Sequence, residues 1–218
     1  QELSFSLLTA WLIPLYGFIG MLVSLPWAAG LFRRVAHRPA AYLNILLTLL
    51  AFVHGSLILQ EVFQSGPVDL SYPWLTVADL ELDISFSLSL TNLVALELIT
   101  GLSLFSQVYS LGYMDKEWAL ARFFALLGFF EGAMSGVVLS DSLFQSYFLL
   151  EMLTLSTYLL VGFWYAQPLV ITAARDAFLT KRVGDVLLLM GVVALCSFAG
   201  GMGFNDLYAW AATDSLSP

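Results

Sequence analysis

Apolar runs about twenty residues long, parted by short polar or glycine- and proline-marked breaks, recur along the whole chain. A hydrocarbon core about 30 Å thick needs about 20 such residues in a helix. Six segments meet that length: residues 6–32, 41–63, 88–111, 119–139, 142–163 and 171–198. Pro14 and Pro26 are expected to kink the first, a break that neighbouring helices can re-satisfy. Gly200, Gly201 and Gly203 are expected to end the last. Between the second and third runs, residues 66–87 change period. The stretch LTVADLELDISFS alternates apolar and polar positions, which predicts a short β-hairpin on the membrane surface. The fold class is therefore an all-α integral membrane protein: one bundle over residues 1–218, with six transmembrane helices and this hairpin. No tandem repeat is visible.

Composition agrees. The chain of 218 residues is 60% apolar and 11% charged, against about 25% charged in soluble domains. All eight Lys and Arg fall in three places: Arg33, Arg34 and Arg38; Lys116 and Arg122; Arg175, Lys181 and Arg182. In the six-helix scheme these are the connections one–two and three–four and the start of helix six, all on one side. Asp69, Asp79, Glu81, Asp83, Asp141, Asp206 and Asp214 lie on the other. The positive-inside rule then places the basic connections in the cytoplasm and the N-terminus outside. The first segment is too long for a cleaved signal peptide. The chain starts at Gln1 without methionine and is expected to be the N-terminal piece of something longer. Cys196 stands alone in an apolar run, which excludes an internal disulfide and a cysteine metal cluster.

Carboxylates within the expected spans are the candidate chemistry: Glu97, Glu131, Glu151 and Asp185. An ionised carboxylate in hydrocarbon costs several kcal/mol, so such groups line polar pathways or hold partners. Two readings stay open for each. One is a proton relay, in which burial disfavours the charge and a movable cation restores it. The other is a permanently protonated carboxyl bonding a neighbouring helix. Glu151 has the strongest case, because Thr154 and Tyr158 share its helix face. Asp185 follows, since Arg182 three residues earlier can pair with it, with Lys181 adjacent; the alternative is an ion pair anchoring the cytoplasmic end of helix six. Glu131 lies in FFEGAMSG, where small residues allow close helix approach and a buried hydrogen bond. Glu97 has apolar sequence neighbours. His54 is a candidate proton carrier, the alternative being a structural histidine, and His37 is expected to be solvated. The two histidines are too isolated for a metal site. Trp118, Trp164 and Tyr165 suit an aromatic belt. No phosphate loop, nucleic-acid surface or nucleophile–base pair is present.

Four motifs in register, YSLGYM, ARFFALLGFF, LLEMLTLSTYLLVGFWY and AFLTKRVGDVLLL, resemble the antiporter-like L-type membrane subunit of respiratory complex I. This is the F subunit of cyanobacterial and chloroplast NDH-1. The resemblance implies that Glu151 is the helix-five glutamate of a proton channel and that Arg182 and Asp185 fall on the family's RVGD motif. It implies a larger bundle of about sixteen helices, with a lysine on helix seven as the glutamate's partner. No cofactor is implied on this chain; plastoquinone and iron–sulfur clusters are expected on other subunits. The sequence departs from the pattern at Leu150 (usually Trp), Gln107 (commonly His), and Glu97 and Glu131 (expected apolar). EMLTLSTYLLVGFWYAQP looks most like the variants devoted to carbon dioxide uptake. That likeness implies a thylakoid complex which takes electrons from ferredoxin and reduces plastoquinone, with membrane-arm subunits, lipid and a carbon dioxide hydration protein as partners. Two other readings remain: an Mrp-type cation/proton antiporter subunit, and a non-conducting subunit that docks the hydration protein.

Overall fold

A computed structural model of the chain describes residues 4–31, 38–77 and 80–214, with the backbone alone at 76, 77, 80–82 and 214. Arg33, Arg34, His37 and Asp79, and the side chains of Glu81 and Asp214, fall outside the described residues. The elements run α1 (Phe5–Leu8), α2 (Leu12–Ala28), α3 (Arg38–Ser65), β1 (Val68–Val77), β2 (Leu80–Leu88), α4 (Leu90–Tyr113), α5 (Leu120–Leu139), α6 (Leu143–Val161), α7 (Pro168–Ala199) and α8 (Phe204–Asp214). Five of them, α3 to α7, are long and apolar enough to cross a membrane.

The expected first span is not one helix. It divides into the single turn α1 and the 17-residue α2, and the break falls before Pro14 rather than at it. Between the two helices the backbone steps through i→i+3 bonds: Ala10 to Leu7, Leu12 to Thr9, and Ile13 to Ala10 at 3.1 Å. Ile13 thereby serves the Ala10 carbonyl that Pro14, lacking an N–H, would leave empty. Ser4 caps α1 by accepting from Leu7 N. Pro26 sits inside α2 near its end.

The centre of the bundle is the seam between α2 and α5, made of glycine against glycine. A Cβ on Gly17 would stand 2.5 Å from Gly132 N, and one on Gly132 would stand 2.8 Å from Pro14 O. Small residues let two backbones touch where side chains would hold them apart. Asn44 of α3 flanks the same seam, its amide donating to Gly20 O of α2 at 3.3 Å and to Ala40 O of its own helix at 2.9 Å. Around this pair α3 packs on α2 and α4, and α6 packs on α5. The long α7 rests on α6 and α8 and buries only Ala174 and Val192 among its described side chains.

The hairpin forms where its period of two foretold it. It is not merely laid on the surface. Leu70, Phe86 and Leu88 turn inward to a core with Ile58, Val62 and Leu93. A bulge at Pro73/Leu75 shifts the register of the paired strands. The hairpin is also tied to the α5–α6 connection, through Asp141 N to Ser85 O at 3.1 Å and Ser85 N to Gln145 Oε1 at 3.0 Å. One element was not foreseen. After Gly200 closes α7 in the left-handed region (φ +70°), α8 begins with Gly203 N donating to Asp206 Oδ2 at 3.2 Å. Phe204 N and Leu143 N then fasten that corner to the α5–α6 connection.

Candidate proton-handling site

Glu151 of α6 does not face an apolar void. It forms an ion pair with Arg182, which lies near the middle of α7. The same guanidinium stands 3.3 Å from Asp185 Oδ2. Arg182 therefore serves two carboxylates, one on a neighbouring helix and one on its own. Phe178 covers the guanidinium face at 4.6 Å, and Tyr158 packs on Phe178 with centroids 4.7 Å apart. The shared face of Glu151 and Tyr158 is thus joined through Phe178 and Arg182. Thr154 turns its hydroxyl to Leu150 O instead, at 2.9 Å. With both carboxylates ionised the trio carries one net negative charge, and with one proton aboard it is neutral. In a low-dielectric surround a net charge is the costly state.

Helix α7 starts at Pro168, three residues before the expected start, so Lys181 and Arg182 lie more than three turns along it, and Arg182 reaches Glu151 of α6 as well as Asp185. Lys181 is exposed and makes no ion pair among the described residues. Among the described residues, Arg38 at the start of α3, Lys116 after α4 and Arg122 in the first turn of α5 gather at one end of the helices. There Arg122 donates to Phe163 O and stands 4.6 Å and 4.9 Å from the rings of Phe163 and Tyr165.

The other candidates form separate groups. Glu131 is 1% exposed, and its Oε2 accepts from Thr48 Oγ1 at 3.1 Å. Thr48 in turn accepts from Gln107 Nε2 at 2.7 Å. His54 lies six residues beyond Thr48 on α3, with Nε2 3.1 Å from Ser6 O and 3.3 Å from Thr9 Oγ1, and Nδ1 3.5 Å from the Tyr16 hydroxyl. A carbonyl only accepts, so Nε2 carries a hydrogen toward Ser6 O. Glu97 is not without polar company, since Ser56 on α3 donates to its Oε2 at 2.8 Å. Its apolar sequence neighbours gave no sign of a partner on another helix.

Sequence reasoning missed Glu61, a further carboxylate within α3. Its Oε2 accepts from Ser4 and Ser6 at 2.6 and 2.7 Å, which binds α1 to the bundle. The seven-residue spacing from His54, two helical turns on one face, was the available signal. At this acidic end Asp69, Asp141, Asn92, Asn205 and Tyr208 help line a cavity of about 370 Å³. Burial pushes the Asp141 carboxyl above its ordinary range, and the charges of Asp69 and Asp206 push it further.

Comparison with known proteins bears on this arrangement. Residues 74–124 match the family described as NADH-Ubiquinone oxidoreductase (complex I), chain 5 N-terminus. Residues 140–216, which include Glu151, Arg182 and Asp185, match NADH:quinone oxidoreductase/Mrp antiporter, TM. The chain is 72% identical over 218 residues to NAD(P)H-quinone oxidoreductase subunit 5, organellar chromatophore 2, of Paulinella chromatophora, covering 99% of this chain and 35% of that protein. It belongs to the complex I chain 5 family. A more distant chain 5 relative, the chloroplastic NAD(P)H-quinone oxidoreductase subunit 5 of Agrostis stolonifera, is 33% identical over 205 residues, which are 91% of this chain and 27% of the relative. The chain thus spans about a third of the length of the relatives it matches. The chain 5 fold is also that of a subunit of the membrane-bound sulfane sulfur reductase, an archaeal respiratory membrane complex. There the TM-score is 0.77 at 14% identity, over 91% of this chain and 39% of that one. Glu131 lies between the two matched stretches, and His54 precedes both.

Proposed function

We propose that this chain is the N-terminal part of a proton-translocating, antiporter-like membrane-arm subunit of a cyanobacterial-type NDH-1. Glu151 is its gated proton site, and Arg182 and Asp185 set the charge on that site. One observation carries the reading: a single guanidinium is shared by carboxylates on α6 and α7 in the interior of two long apolar helices. Movement of Arg182 toward Asp185 would leave Glu151 without its cation and ready to take a proton; movement back would release it. The other subunits of the complex carry iron–sulfur clusters and plastoquinone, with ferredoxin as electron donor. By the likeness of the α6 region to carbon dioxide uptake variants, the complex also drives carbon dioxide hydration through an attached hydration protein.

In this reading α2 joins α3 to α7 as the first of six spans, and the hairpin and α8 cover the lumenal end of the thylakoid-embedded bundle. Once Lys181 and Arg182 are counted as interior, Arg33, Arg34, Arg38, Lys116, Arg122 and Arg175 remain on the cytoplasmic side. The test is Glu151→Gln in the intact complex. Proton pumping and carbon dioxide uptake are expected to be lost with assembly unchanged. Normal uptake by an assembled mutant would overturn the reading and leave a non-conducting docking subunit. The second matched family also names the Mrp antiporter, which favours one alternative, a cation/proton antiporter subunit. Sodium-dependent transport by an assembly lacking redox subunits would support that instead.

A further inference from the structure

Glu131 is buried among α2, α3, α4 and α5, and the accounting of its hydrogen bonds does not close. Its Oε2 accepts from Thr48, while its Oε1 is buried without a partner. Gln107 donates through Nε2 to Thr48 and to Ser103 Oγ at 3.3 Å, yet its own Oε1 is likewise buried and unpartnered. Ser135 stands one helical turn beyond Glu131 on the same face of α5, fully buried, and its hydroxyl is also without a partner. Three orphaned polar atoms therefore surround one hydrogen-bond chain. Two belong to side chains fastened to the same Thr48 hydroxyl, and the third lies on Glu131's own helix. Among the described residues no cation pairs with Glu131, and no group of His, Cys, Asp and Glu there suits a metal ion.

The directions of the bonds constrain the protons. Gln107 Nε2 donates to Thr48, so the single Thr48 hydrogen goes to Glu131 Oε2. Any acid proton then belongs on Oε1, the oxygen with no acceptor in reach. Gln107 Oε1 needs a donor, and the Ser135 hydroxyl needs both. One small molecule that donates and accepts satisfies all three, and buried water takes this role when it finds two to four polar partners.

We propose that Glu131 is held as an uncharged carboxylic acid and that its Oε1, Gln107 Oε1 and Ser135 Oγ form a site for buried water between α3, α4 and α5. The site is a second proton-holding station, separate from the Arg182 trio and independent of whether Glu151 conducts.

Infrared spectra of the intact membrane complex test this, with assembly checked on native gels. In the wild-type minus Glu131→Gln difference, a protonated-carboxyl C=O band is expected at neutral pH, and it should shift down when H2O is replaced by D2O. Thr48→Val and Ser135→Ala should each move that band, because each removes a neighbour of the carboxyl. Glu151→Gln should leave it in place, so loss of pumping in that variant does not bear on the result. A difference spectrum showing an ionised carboxylate, or a band indifferent to D2O, overturns the proposal. If Glu131→Gln fails to assemble, the Thr48 and Ser135 variants are read alone; movement of a carboxyl band in either supports the site, and movement in neither overturns it.

Discussion

Arg182 of α7 bonds Glu151 of α6 while standing 3.3 Å from Asp185, one turn along its own helix. The cation thus links two acids on different helices. Removing it has a different consequence from removing either acid. Arg182→Gln leaves two carboxylates with no counter-charge, and an unpaired charge is costly in an apolar surround. Proton transport by the complex is expected to fall at least about tenfold, equivalent to about 1.4 kcal/mol in the barrier, and as far as in Glu151→Gln. Arg182→Lys keeps the charge but not the planar fork that reaches two acids, so it should retain part of the activity. Transport assays on inverted membrane vesicles would separate the two variants.

The glycine seam predicts a stability effect with a built-in control. Gly17→Ala and Gly132→Ala push a Cβ into backbone at 2.5 and 2.8 Å. Overpacking of this kind costs about 1–3 kcal/mol, to be seen as a lower melting temperature or reduced assembly. Gly191→Ala on α7 meets nothing within 4 Å and should be neutral or stabilising by up to about 1 kcal/mol, since alanine outperforms glycine in a helix.

Asp141 offers a pH-dependent effect outside the spans. Its carboxyl is raised above the ordinary value of 3.8, chiefly by burial and then by Asp69 and Asp206. A raised carboxyl binds its proton more tightly folded than unfolded, so its favourable contribution is present below the unfolded value and is lost as pH rises through the folded one. Asp141→Asn removes that loss. The variant should melt higher than wild type at neutral pH, with the difference vanishing on acidification to about pH 3. No hydrogen bond is given up, because the corner is held by the Asp141 backbone.

Much of this fold was legible along the chain. The ends of α3 to α7 fall within three residues of the apolar runs, and the alternation in LTVADLELDISFS did mark strands. The residues that misled did so because their partners are remote. Ser4 and Ser6 look like ordinary polar residues at the start of an apolar run, yet their bonds to Glu61 pin α1 as a separate turn. Glu97 looked isolated because Ser56 meets it from α3. Arg182 was matched in sequence only with Asp185 of its own helix, because Glu151 reaches it from α6. Helix α8 went unseen because it is only 11 residues long and the glycines before it read as a terminus. Periodicity reports which residues share a face of one helix. It is silent on what stands opposite.

Where α2 and α5 meet backbone to backbone, neither helix can move toward the other without a clash. The α6–α7 contact is built differently, from long side chains: Arg182 reaches Glu151, and Tyr158 packs on Phe178. Turning the guanidinium from one acid to the other therefore asks only for new rotamers on this flank and leaves the glycine seam untouched.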